Sequence, residues 1–352
     1  MFLALKEFRY EKLRYSLIVV MFLLISYLIF ILTGLAFGLA NQNTNAINNW
    51  HFKQIVLNQD ANVNLNQSLL TKEMVATLPQ NAHTALIGQA SIVVKKPHHA
   101  NVGASFIGLK PQQFIYRNLK LTAGKMPTNS HQLVVDENFK NSGYHLNDTV
   151  TLNSLKDKFK IVGFVKNHQY NVAPVAYGRL TAWQNLKNVG SNFTASALLS
   201  KQALHLKATN LKTYSVTQLI NKLPGYSAQN LTFALMIGFL LVISLIIIAV
   251  FLYIITIQKL PNYAVLRAQG IPAKTLVATT IIQAMLLALS GTILGGLLTW
   301  LSALFIPKAA PIFFDPVALG LVAAGLLFAS LLGSLLPVRT ILKVDPVTVI
   351  NS

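Results

Sequence analysis

The chain has 352 residues, of which 53% are hydrophobic and only 11% charged, with a formal net charge of +19. That apolar excess excludes an ordinary soluble globular chain and points to a membrane protein with room for more than one domain. Cysteine is absent, which excludes disulfides, thiolate metal sites and a lipobox anchor.

Residues 1–15, MFLALKEFRYEKLRY, set Phe2, Leu5 and Phe8 at helical spacing against Lys6, Arg9 and Lys12. The pattern predicts an amphipathic helix lying in the membrane interface. Residues 16–40 follow as 25 residues without a charge, the first predicted span. Its apolar core is too long for a signal peptide and no clean cleavage site follows, so it is expected to stay in place. Tyr27 lies within it, and it ends on Gly34-Leu-Ala-Phe-Gly38. Such a GxxxG step lets helix backbones approach closely, in a dimer seam or within one chain.

From Asn41 the sequence turns polar and stays so to about Asn230. Residues 41–82 read as helix and loop. Strand-type runs then occupy Ala85–Val94, Ala104–Leu109, Gln132–Val135, Thr149–Leu152 and Lys158–Val165, with weak helices near 111–119, 136–142 and 181–188. Ser215–Leu223 reads as a last helix. A mixed α+β domain over 41–230 is the expectation.

Leu231–Ile257 is 27 residues without a charge, about 40 Å as a helix, so the second span is expected to tilt or to continue beyond the bilayer as a stalk. A basic connector, 258–274, carries Lys259, Arg267 and Lys274. The third span, 275–305, contains a second glycine step, Gly291-Thr-Ile-Leu-Gly295. A short loop, 306–315, a fourth span, 316–337, and a tail, 338–352, complete the chain. The fold class is thus four transmembrane helices in a 1+3 layout, with an α+β domain between the first two.

Lys and Arg concentrate in 1–15, in 258–274 and in the tail, whereas 306–315 holds only Lys308. The positive-inside rule then places both termini and the connector in the cytoplasm of a plasma membrane, with the large domain outside. That domain holds 19 of the 29 basic residues. A nucleic-acid partner is therefore excluded; the charge suits anionic envelope polymers, lipid headgroups or an acidic ligand, or equally a charged face that only keeps the domain soluble.

No catalytic constellation is present. None of the ten acidic residues lies within a span, which removes an intramembrane carboxylate relay. The nearest approach to a phosphate-binding loop is Gly103-Ala-Ser-Phe-Ile-Gly108-Leu109, with Leu109 where the lysine must stand. The chain is expected to be no ATPase. His98-His99 lacks metal-site spacing, and no metal is expected. Tyr170 and Tyr226 are candidate phenolate ligands for an iron porphyrin, beside plain roles as surface and interfacial aromatics.

The connector run Tyr263–Lys274, YAVLRAQGIPAK, resembles the segment after the second span in permeases of the MacB/FtsX type, the mechanotransmission class of ABC transporters. Pro337-Val-Arg-Thr with Val344-Asp345-Pro346-Val347 is similar to that family's tail. Leu121–Pro127, Leu133–Asp136 and Leu146–Val150 resemble its outer-domain motifs, with Asn147 where the family has Gly. The resemblance covers the whole chain. It implies a homodimer or a permease pair, docked on a dimer of cytoplasmic ATPase subunits that use ATP. In the connector, Val265, Leu266 and Ile271 are candidate apolar anchors for such a partner, with Lys259, Arg267 and Gly270 as further candidate coupling residues.

The N-terminal run and the short outer domain resemble the haem-exporting permeases of Gram-positive bacteria. That implies haem as substrate, entering a dimer cavity beside spans one and two, with Tyr27, Tyr170 and Tyr226 as candidate contacts. Efflux of an antimicrobial peptide or antibiotic, and regulation of an extracellular cell-wall hydrolase without export, remain alternative expectations.

Overall fold

The computed structural model describes residues 12–204, 206, 210–307 and 310–342. All but the last four residues of the expected 1–15 helix therefore lie outside the described residues, as do His205, Lys308 and the tail from 343, with its Val344–Val347 motif. The chain divides into two compact units. One is Leu39–Asn230; the other joins the residues up to Gly38 with those from Leu231 onward.

Along the chain, α1 (Lys12–Asn49) leads to β1 (Gln54–Asn58), β2 (Leu70–Thr71) and α2 (Lys72–Ala76). Next come β3 (Thr84–Lys95), β4 (Val102–Leu109), α3 (Phe114–Asn118), β5 (Leu121–Gly124), β6 (Gln132–Asp136) and α4 (Asn138–Asn141). β7 (Thr149–Leu152), β8 (Lys158–Val165), β9 (Gln169–Tyr170), β10 (Ala173–Arg179) and α5 (Leu180–Lys187) follow. The domain closes with β11 (Phe193–Ala195), β12 (Ala197–Ser200), β13 (Leu211–Ser215) and α6 (Val216–Asn221). The remaining helices are α7 (Tyr226–Gln258), α8 (Leu260–Ala268), α9 (Ala273–Phe305), α10 (Pro316–Gly333) and α11 (Leu335–Leu342).

Four helical stretches are long and apolar enough to cross a membrane: Lys12–Asn49, Tyr226–Gln258, Ala273–Phe305 and Pro316–Leu342. Their common core joins Ile18 and Phe22 of α1, Ile248 and Leu252 of α7, and Ala284 and Leu287 of α9. The hydroxyls of Ser26, Thr33, Thr280 and Thr299 donate to carbonyls one turn back in their own helices. That satisfies each polar group without water. Asp315 caps α10 by accepting from the backbone N–H of Val317 and Ala318, and Pro316 occupies the first turn, where its missing donor costs nothing.

The inserted unit is a mixed α+β domain. Its large sheet has the order β13-β1-β12-β3-β4-β10-β6-β8-β5, with β7 pairing β3 and β8, and β9 pairing β10. The strand period of two divides its apolar residues between two faces. Leu86, Ala90, Phe106, Leu133 and Leu198 enter one core, while Ile87, Ile107, Val134, Tyr177 and Leu199 enter the other. A register shift where β6 meets β8 moves Phe164 to the core of Phe159 and Ile161.

The 41–82 stretch begins as helix, as expected, and departs from the helix-and-loop expectation where strands form. The first helix runs on to Asn49, nine residues past the expected end of the span at Ala40, and β1 and β2 follow. Asparagine side chains hold that extension. Asn45 Nδ2 donates to Gln169 Oε1 at 2.9 Å, and Asn49 Nδ2 to the Asn167 carbonyl at 2.8 Å. A buried polar chain continues inward: Trp50 Nε1 donates to Tyr177 Oη (3.0 Å), whose hydroxyl meets His168 Nδ1 at 2.7 Å. The His168 N–H in turn donates to the buried Asp136 carboxyl.

Candidate functional site

The 258–274 connector is helical rather than a loop. Lys259 ends the run of α7 and Pro261 sits in the first turn of α8. At the other end, the N–H of Ile271 donates to the Leu266 carbonyl (3.1 Å) and that of Gly270 to the Arg267 carbonyl (3.0 Å). This is a Schellman termination, and Gly270 supplies the left-handed residue it needs, with φ of +92°. The apolar contact that accompanies such a motif is made here by Leu266 and Ile271. Both pack against the buried cluster of Tyr263, Leu276 and Ile341. The connector thus has an inner face, which seats it on α9 and α11, and an outer face.

Of the three expected apolar anchors, only Val265 is outside, at 47% exposure. Pro261, Val265 and Ala268 fall at i, i+4 and i+7 and are all exposed, which makes one apolar stripe on the outer face. Lys259 is buried, at 5% exposure, and its ammonium donates to Tyr15 Oη at 2.7 Å. It belongs to the interior of the helical unit rather than to a charged rim.

Both glycine steps are filled within the chain. A Cβ at Gly34 would meet the Phe314 ring at 2.6 Å, and one at Gly38 would strike the Pro311 carbonyl. The Phe313 N–H donates to the Gly34 carbonyl at 2.9 Å. A Cβ at Gly291 would collide with Phe22, and one at Gly295 would lie 2.8 Å from Ser26 Cβ. So α1 and α9 touch backbone to backbone, which is the close approach that small residues permit.

The three tyrosines occupy different settings. Tyr27 belongs to the helical unit, where its hydroxyl lies 3.1 Å from Ser302 Oγ. Tyr170 and Tyr226 belong to the inserted unit, where Tyr226 packs half-buried against the core that contains Tyr170. Tyr170 is 5% exposed and stacks on Trp50 at 6.2 Å between centroids. Burial pushes its phenol above the usual range, opposite to the change a phenolate ligand for iron needs. Among the described residues no group of three His, Cys, Asp or Glu is placed to hold a metal ion.

Exposed apolar surface is extensive on the helices. Leu13, Leu17, Val20, Leu24 and Leu28 form an exposed stripe on α1, and Leu235, Phe239, Val242, Ile246 and Val250 another on α7. An apolar cleft of about 430 Å³ lies between α1, α9 and α10, lined by Phe30, Ile293, Trp300 and Leu327 among others. Sequence reasoning missed this cleft, because the residues that form it are separated by more than 250 positions.

Known proteins resemble this chain in part or over its whole length. Residues 234–346 match the FtsX-like permease C-terminal family. Over 99% of both chains, the protein is 25% identical to one from Staphylococcus haemolyticus (strain JCSC1435) that bears the name hemin transport system permease protein HrtB. It is 24% identical, again over 99% of both chains, to a protein of the same name from Staphylococcus epidermidis (strain ATCC 12228 / FDA PCI 1200). The crystal structure of the periplasmic region of MacB from Actinobacillus actinomycetemcomitans overlaps 49% of this chain and 93% of its own, with a TM-score of 0.37 and 15% identity. With four apolar helices and an inserted α+β domain, the chain is similar over its whole length to transport-system permeases, and its residues 234–346 carry an FtsX-like permease C-terminal domain.

Proposed function

We propose that this permease exports haem, driven by a separate ATPase that docks on its cytoplasmic side. The observation that carries the reading is the end-to-end similarity to permeases named for hemin transport, over 99% of each chain. In this reading both termini and the 258–274 connector are cytoplasmic, the inserted domain is extracellular, and two copies of the chain form the transporter. The outer stripe Pro261, Val265 and Ala268 is the surface offered to the ATPase. A rigid α7–α8 junction suits the transfer of a nucleotide-driven push along a helix. The exposed stripes of α1 and α7 support the second copy, since an amphipathic porphyrin needs an apolar seam through which to leave the bilayer. Tyr27 is the candidate contact placed in the helical unit. The test is haem titration of the permease–ATPase complex in nanodiscs. Saturable haem binding with a change in ATP turnover is expected; haem that neither binds nor alters turnover removes it as substrate.

A further inference from the structure

The inserted domain contains a polar cavity that the transport reading leaves unused. On the sheet face that carries Ala85 and Ile87, alternation along β3 next presents Gln89 and Ser91. On the paired strand β4, Ser105 lies opposite Ser91 and Gly103 opposite Val93. Apolar side chains here would extend the core. Instead these positions are polar or bare, and the space above Gly103 is open. Gln89, Ser91, Gly103 and Ser105 line a cavity of about 360 Å³, together with the β9–β10 residues Tyr170 and Asn171.

Two features say what the cavity takes. First, among the described residues no acidic or basic side chain lines it, so an ionic ligand finds no counter-charge there. Second, Gln89 is 2% exposed, and its Oε1 has no hydrogen-bond partner among the described residues. The residue is otherwise held tightly: Trp183 Nε1 donates to its carbonyl and its own N–H donates to Ser196 Oγ, both at 2.9 Å. A buried acceptor without a donor is unfavourable, and a ligand hydroxyl can relieve it.

We propose that this cavity binds a neutral polyhydroxylated ligand, a saccharide of one or two rings, through Gln89, Ser91, Ser105 and Tyr170. Amide and hydroxyl groups both donate and accept, as sugar hydroxyls do. The volume is at the small end of ligand pockets, roughly 300–1,000 Å³. The Tyr170 phenol, raised by burial, stays protonated and available as a donor.

The full-length permease in nanodiscs, without haem or ATP, is titrated with glucose, N-acetylglucosamine, maltose and chitobiose by calorimetry and intrinsic fluorescence. Trp50 stacks on Tyr170 and Trp183 bonds Gln89, so both report on the cavity. Saturable binding of at least one sugar is expected, weakened about tenfold in Ser105→Ala and in Tyr170→Phe. Thermal midpoints show that both variants are folded. No saturable binding by any sugar, or equal affinity in both folded variants, overturns the proposal. So does binding of triglycine in place of every sugar, since that assigns the cavity to peptide amides.

Discussion

Lys259 and Tyr15 meet at 2.7 Å, the ammonium donating to the phenol oxygen and lying 5.3 Å from the ring centroid. The contact joins the start of α1 to the junction of α7 and α8, in surroundings where Lys259 is 5% exposed. Hydrogen bonds to a charged group contribute about 1.5–3 kcal/mol, and a buried ion that loses an acceptor costs at least as much. Tyr15→Phe is therefore expected to lower stability by roughly that amount. In a Lys259→Met background, where no ammonium needs the acceptor, the same change should cost under about 0.5 kcal/mol. Thermal unfolding of the four proteins in detergent measures the cycle. Equal losses in both backgrounds would show that the bond contributes nothing.

The two faces of α8 separate docking from folding. Val265 is exposed on the outer stripe, whereas Leu266 packs on Tyr263, Leu276 and Ile341. Val265→Asp places a charge on surface and should shift stability by no more than about 0.5 kcal/mol. Leu266→Asp puts a carboxylate against an apolar cluster and should cost about 1–3 kcal/mol. If the outer stripe seats the ATPase, Val265→Asp abolishes permease-dependent ATP turnover while the melting curve stays in place. Full turnover in that variant would rule out the stripe as the docking surface.

The layout of four long apolar helices and an inserted domain was legible because uncharged runs of span length have few soluble counterparts, and because five strands of the inserted domain show long apolar or alternating patterns. β3, β4, β6, β7 and β8 all lie where those patterns place them. β10 and β13 were not legible. Ala173–Arg179 contains Pro174, and Leu211–Ser215 is short and half polar, so their strand character comes from pairing across the sheet. Helix is expected after Ala40, but what holds it to Asn49 was hidden for a related reason. Its asparagines are poor helix formers, and they are held by Gln169 and Asn167, more than 110 positions away. In the connector, Leu266, Gly270 and Ile271 read from sequence as contacts for a partner. Their role as a helix stop needs the 6→1 hydrogen bond, and no spacing rule distinguishes an anchor for a partner from an anchor for the chain itself.

The buried chain Trp50–Tyr177–His168–Asp136 makes the inserted domain sensitive to mild acid. Trp50 donates to the Tyr177 oxygen, so the Tyr177 proton is free to go to His168 Nδ1, which must then be unprotonated. Burial pulls the His168 imidazole down to about 4. An unfolded histidine titrates near 6.5, so between pH 6.5 and 4 the unfolded chain binds more protons than the folded one. The stabilising contribution is complete above pH 6.5 and declines as pH falls through that window, at up to ~1.4 kcal/mol per pH unit. Asp136 acts with the opposite sign. Burial, outweighing hydrogen bonds from Asn138, His168 and Gln169, raises its carboxyl, so its contribution is greatest at low pH and lost as pH rises through that raised value. Replacing the imidazole alone separates the two. Thermal midpoints of the wild type and of His168→Gln are compared from pH 7 to pH 4.5. The wild type should lose stability more steeply with acid, and the variant, though less stable at pH 7, should lack that component of the slope. Parallel profiles would mean that His168 titrates alike in the folded and unfolded chain, and that acid sensitivity arises elsewhere.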